Sequence, residues 1–151
     1  MKLTKQERET LRNKYGGRCS YCGIELKRTF QADHFIPVLR VKRYIRDESN
    51  QIVRDAKNKP LCETIMENPE HDVIENMMPA CGNCNNDKGS FTIEGWRAYI
   101  PHRLHTLNND PKYASYQKAL RFGLIKETGI KVVFWYERYE AGERDPILPT
   151  E

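Results

Sequence analysis

Two Cys-x-x-Cys pairs, Cys19/Cys22 and Cys81/Cys84, bracket an Asp33-His34 dipeptide, with 58 residues between Cys22 and Cys81. Thiolates paired in this way are a donor set for tetrahedral zinc, and an ion bound by both pairs would pin distant parts of the chain together. A site of four thiolates is closed, leaving no position for water or substrate. Any chemistry therefore sits beside it, in Asp33-His34 and in the polar run Asn85-Asn86-Asp87-Lys88. Asp33 offers a hard anionic oxygen to a divalent cation such as Mg²⁺ or Mn²⁺. His34, neutral near pH 7, can accept a proton from water. At a strand end the two side chains diverge, one toward a metal and the other toward a nucleophile. Asn85 adds a neutral oxygen at a helix start. Lys88, one turn on, points the same way and is expected to hold a phosphate. A base for water, a cation for the leaving oxygen and basic groups for the substrate together suit phosphodiester hydrolysis.

The elements that must position these groups are those of one domain, residues 1–151, of modest core. The chain is 38% hydrophobic and carries 25 Lys+Arg against 21 Asp+Glu, so the distribution of charge says more than the net +4. Residues 1–18 hold six basic groups against Glu7 and Glu9, and residues 27–59 hold nine against four acidic. Residues 60–80 carry five acidic groups and no Lys or Arg, while 96–126 returns to six basic against one acidic. Separate basic blocks with aromatics among them suit a polyanion. No apolar run reaches the roughly 20 residues of a membrane span, and the polar N-terminus is unlike a signal peptide. A cytoplasmic protein is expected, in which paired cysteines bind metal rather than form disulfides. Cys62 is left over.

Thr4 and Glu7 form a capping box for a first helix reaching Tyr15, ended by Gly16-Gly17. Arg18–Gly23 reads as a zinc knuckle, followed by a short strand that reaches Asp33-His34 and is broken by Pro37. Residues 38–72 are charged and weakly periodic, the place for an inserted loop or irregular helix, and no internal repeat is evident. A helix starts near Asn85. Thr92 caps another, carrying Trp96 and Tyr99 and stopped by Pro101. Asp110-Pro111 opens a further helix whose Tyr113, Tyr116, Leu120 and Leu124 fall on one face and predict core. Alternation from Ile130 through Val132, Phe134 and Tyr136 predicts a strand. The tail from Ala141, with Pro146 and Pro149, predicts extended chain.

The text Cys19-Ser-Tyr-Cys22-Gly23, Ala32-Asp33-His34-Phe35-Ile36-Pro37, Glu75-Asn76-Met-Met-Pro-Ala-Cys81 and Gly82-Asn83-Cys84-Asn85-Asn86-Asp87-Lys88-Gly89 resembles the HNH nucleases. The resemblance covers about residues 5–100; 101–151 matches nothing in that family. It implies an α+β fold: a ββα-metal core stapled by a four-cysteine zinc site, with an N-terminal helix, an insertion at about 38–72 and a C-terminal helix-plus-strand extension. It implies a divalent-metal-dependent DNA endonuclease, of the small free-standing phage or bacterial type. His34 would be the general base, and Asp33 and Asn85 the ligands of the catalytic cation. Asn76, nine residues before Asn85, would brace the loop that carries the base. Many relatives have His where this chain has Asn85, and the 41 residues between His34 and Asn76 are an unusually long gap.

Other readings compete with this one. A zinc-stabilised DNA-binding module would need neither Asp33-His34 nor Asn85. A zinc-organised adaptor using the acidic 60–80 block would have no affinity for nucleic acid. Arg40, Lys42, Arg43 and Arg46 closely follow the dipeptide and are expected to contact the DNA backbone, with the acidic block turned away from it. His71, His102 and His105 are read as surface or phosphate-contact residues, and Trp96 and Trp135 as packing residues.

Overall fold

The first helix, α1 (Lys5–Asn13), starts at Thr4, whose hydroxyl accepts from the Glu7 N–H while the Glu7 carboxylate accepts from the Thr4 N–H. It stops short of the expected Tyr15, because the chain has begun to turn toward Gly16 and Gly17, at φ 68° and 74°, which is left-handed backbone open to glycine. The structure is a computed structural model describing residues 2–146, so the part of the expected extended tail that holds Pro149 lies outside the described residues.

The core sheet is small. Strand β1 (Gln31–His34) pairs antiparallel with the fully buried β4 (Met77–Ala80), Gln31 opposite Ala80 and His34 opposite Met77. Helix α2 (Gly82–Lys88) leaves β4 through Cys81, and α1 packs on β4 from the other side of the chain order. The buried set joins three stretches of the described sequence, Leu11 and Tyr15 with Tyr21 and Phe30, Met77 and Met78 with Trp96, and Phe134 with Trp135. The fold is α+β, with two small antiparallel sheets and helices.

Residues 38–72 differ from the loop or irregular helix expected. They form a hairpin arm in which β2 (Leu39–Tyr44) pairs antiparallel with β3 (Cys62–Glu67). The ladder has little apolar alternation because most of both strands is exposed, and hydrophobic periodicity marks only half-buried strands. The connection also contains an internal repeat that the sequence reading missed. Arg46-Asp47-x-x-Asn50-x-Ile52-Val53 returns eight residues later as Arg54-Asp55-x-x-Asn58-x-Pro60-Leu61. In each copy the Asp carboxylate accepts two backbone N–H groups, the Asn adopts φ near 60°, and the Arg donates to the Asn carbonyl. Ile45, Val53 and Leu61 then bond to one another in a ring of three N–H···O contacts. Each unit is too short to leave a periodic signature, and its invariants are turn-forming rather than apolar.

Toward the C-terminus, three expectations are corrected. Helix α3 (Ile93–Asn109), capped by Thr92, runs through Pro101. The lost hydrogen bond is tolerated because Ile93 and Trp96 anchor the preceding turns in the core and Gln117 of α4 (Ala114–Arg121) binds the Leu107 and Asp110 carbonyls. The stripe on α4 is half-buried rather than core, and Leu124, past the helix end, is 78% exposed. Residues 130–136 form no strand: Phe134 and Trp135 are both buried although adjacent, and α5 (Trp135–Glu140) begins there. Their N-terminal side is held by Arg97, which donates to the Val132 carbonyl and to both Glu137 oxygens. Packing on one rounded core, not a sheet face, consumes the apolar alternation.

Candidate functional site

The four cysteines converge. Their sulfurs lie within 4.8 Å of one another, with Cys22 Sγ and Cys81 Sγ 3.9 Å apart. Four sulfurs at about 2.3 Å around tetrahedral zinc stand roughly 3.8 Å apart, so this group can hold a metal ion such as zinc. The first pair sits on a knuckle closed by the Gly23 N–H to the Cys19 carbonyl and the Cys19 N–H to Ile24. The second pair frames a helix start: Cys81 is the N-cap of α2, its sulfur accepting from the Cys84 N–H. Hydrogen bonds from Cys22 and Cys84 hold the Cys19 thiol far below its ordinary range, while their bonds to Cys19 push those two thiols up. Binding a metal to all four would therefore release protons. Cys62 stands apart from the cluster, exposed on β3.

Asp33 lies at the sheet's inner face, only 6% exposed. The Tyr21 hydroxyl donates to its Oδ2, and burial followed by the Asp33 charge raises the Tyr21 pKa. The Lys88 ammonium approaches Oδ2 at 3.0 Å and Oδ1 at 3.3 Å, and donates to the His34 carbonyl at 2.7 Å. Lys88 is wholly buried. This corrects its expected role: an ammonium with no solvent exposure and three internal acceptors is a counter-ion to Asp33, not a phosphate contact. Asn85 lies one turn earlier on α2, on the face that meets β1, and among the described residues its side-chain amide makes no hydrogen bond. Replacing Lys88 by Met should destabilise the fold by about 3–5 kcal/mol, since it leaves a buried carboxylate uncompensated. Urea unfolding would measure this, and Asp33→Asn added to Lys88→Met should recover much of the loss. A Lys88→Met protein as stable as its parent would refute the pairing.

His34, at the end of β1, brings its Nε2 to 2.8 Å from Asp72 Oδ1, with side chains 19% and 12% exposed. An ionised carboxylate only accepts, so Nε2 carries the proton and Nδ1 is left as the basic nitrogen. Asp72 belongs to the acidic 60–80 block, and the fold brings it beside His34. Asn76 braces the turn after His34: its Oδ1 accepts from the Ile36 N–H at 2.9 Å, its Nδ2 donates to the Ile36 and His71 carbonyls, and its own carbonyl accepts from the Phe35 N–H. Sequence reasoning missed Asp72 and Tyr21. The long insertion hid Asp72 from His34, and Tyr21, inside the Cys19–Cys22 knuckle, carries no sequence signal that it reaches Asp33.

The basic residues after His34 are not one patch. Directly opposed residues of an antiparallel pair share a face, and the register sets Arg40 against Met66, Lys42 against Thr64 and Arg43 against Glu63. Arg43 is thus on the other face from Arg40 and Lys42, opposite a carboxylate. Arg46 is engaged by the Asn50 carbonyl at 2.8 Å. His102 and His105 stack their rings 6.0 Å apart on an exposed part of α3. Trp96 and Trp135 are packing residues, each 2% exposed; Trp96 stacks on Phe134 and donates to Asp87.

Comparison with protein-family models, with curated proteins and with solved structures finds no match for this chain. Among the described residues no helix is long and apolar enough to cross a membrane.

Proposed function

We propose that this chain is an endonuclease of the HNH type that hydrolyses DNA phosphodiester bonds with the help of a divalent cation. The observation that carries the reading is the 2.8 Å contact between His34 Nε2 and the Asp72 carboxylate: Nε2–H donates to the carboxylate and keeps its proton, which leaves Nδ1 to receive one from water. The order of elements supports it too, since an antiparallel strand pair leads through a cysteine of the metal cluster into a helix that packs back on the first strand. In this reading that ββα unit is the catalytic core, and zinc is its staple.

His34 Nδ1 removes a proton from the attacking water, and Asp72 stabilises the imidazolium that results, as a carboxylate does for a catalytic histidine elsewhere. Asn76 keeps the turn at 35–36 from drifting, so the base holds its place relative to the substrate. Asp33 and Asn85 carry oxygen donors of the kind a hard cation takes, and the contact of Lys88 with Asp33 brings the face of α2 that carries Asn85 onto β1. The Asp33 carboxylate is already held by Tyr21 and Lys88, so a cation would bind here in exchange for the Lys88 contact. When bound there, Mg²⁺ or Mn²⁺ supplies charge stabilisation for the phosphate and the leaving 3′ oxygen. Products with 5′-phosphate and 3′-hydroxyl ends follow.

The test is incubation of purified protein with supercoiled DNA, with and without Mg²⁺, beside a His34→Ala control. Metal-dependent nicking or linearisation that the control lacks supports the reading. Binding without cleavage by the parent protein would leave a zinc-stabilised DNA-binding module.

A further inference from the structure

The hairpin arm springs from the candidate base itself. Strand β2 begins five residues after His34 and β3 ends five residues before Asp72. The two feet are tied together by the His34–Asp72 contact and by Asn76, which bonds to Ile36 on one foot and His71 on the other. Anything lying along the arm meets His34 at its root.

The arm's two faces differ in charge. One carries Arg40, Lys42 and Tyr44 across from Met66, Thr64 and Cys62, and has no carboxylate. The other carries Leu39, Val41 and Arg43 across from Glu67, Ile65 and Glu63. Arg40 and Lys42 are exposed, Tyr44 is 52% exposed, and none of the three makes a hydrogen bond or ion pair among the described residues. Beyond the strands, Arg46 and Arg54 each donate to an Asn carbonyl within their own loop, which stiffens the tip.

We infer that the arm is a duplex-binding ribbon whose Arg40/Lys42/Tyr44 face lies along the major groove of B-form DNA with Arg40 and Lys42 against the phosphates at its edges, an inference that rests on the nuclease reading above. Two strands about 4.8 Å apart with their side chains fit a groove about 12 Å wide, which is known to admit a two-stranded β-ribbon. Lys42 is eight residues from His34, at most roughly 29 Å along extended chain, so the contacts fall within one helical turn, about 34 Å, of the bond presented to the base. Single strands are held chiefly by stacking on several aromatics, and this face has only Tyr44. The major groove of A-form RNA is too deep and narrow for side chains to read. The ligand is therefore double-stranded DNA, and Arg43 faces away from it.

The experiment uses full-length His34→Ala protein, titrated with a short DNA duplex, its single strand and the corresponding RNA duplex over a range of salt. The duplex DNA should bind tightest. Arg40→Gln with Lys42→Gln should flatten the slope of log K against log salt by up to about 1.8, two phosphate contacts at about 0.9 each, whereas Arg43→Gln should leave it nearly unchanged. Matching thermal melts of the variants keep a loss of binding from being a loss of fold. An unchanged slope in the double variant, with DNA still bound, overturns the arm and spares the nuclease reading. Equal flattening by Arg43→Gln overturns the assignment of faces, and equal affinity for RNA duplex overturns the groove. Failure of the His34→Ala protein to bind any nucleic acid overturns the nuclease reading and the arm together.

Discussion

Removing metal from the four-cysteine cluster should unfold the whole chain, not loosen one corner of it. Cys19 is fully buried within the core cluster, and its sulfur accepts the Cys81 N–H. The knuckle it starts is also a docking strip. The Ser20 N–H and hydroxyl both bond the Pro79 carbonyl of β4, and the Ser20 and Tyr21 carbonyls accept from Tyr136 and Trp135. The N-terminal knuckle, the central sheet and the C-terminal helix thus meet over one cluster. Structural zinc in small sites contributes about 10–16 kcal/mol of apparent binding energy, against a typical domain stability of about 5–15 kcal/mol. Elemental analysis should find about one zinc per chain, and a strong chelator should abolish the cooperative melt seen by circular dichroism. Cys81→Ser should do the same through the metal alone, since it removes a ligand while serine still serves as the N-cap of α2. Protein purified without chelators that holds no zinc, or that carries a Cys19–Cys22 disulfide, would sink this idea.

Replacing His34 by Ala should lower DNA cleavage by roughly 10²–10⁴-fold, the usual contribution of a positioned general base, while the fold and DNA binding persist. His34 is partly exposed and its side chain bonds Asp72 among the described residues, so the loss to stability is small beside the loss to rate. Asp72→Asn gives a graded version of the same test. It preserves shape but can no longer demand the Nε2 proton, so the imidazole tautomer with a basic Nδ1 loses its advantage. Its cleavage rate should fall by less than that of His34→Ala, with KM little changed and the pH profile displaced. Cleavage by His34→Ala at the parent rate would remove this residue from the role.

What the sequence determined by itself are features set by neighbours a few residues apart. The capping box at Thr4 and Glu7, the glycine stop after α1, the knuckle at Cys19–Gly23 and the cap at Thr92 depend on local hydrogen bonds and backbone freedom, and all are present. The convergence of the cysteine pairs was legible for a different reason: soft paired ligands have few satisfying arrangements, and one metal serves both pairs. Tertiary structure decided the rest, because charge and apolar alternation do not say what faces them. Lys88 looked like a phosphate contact until the buried Asp33 claimed it, since a carboxylate with so little access to water requires an internal cation. Alternation at 130–136 looked like a strand until Phe134 and Trp135 filled a core assembled from Tyr21, Trp96 and Tyr15. The arm's basic residues looked like one patch until strand register divided Arg40 and Lys42 from Arg43. Asp72 had no local signal at all, because it reaches His34 only after the chain has run out along one strand of the arm and back along the other.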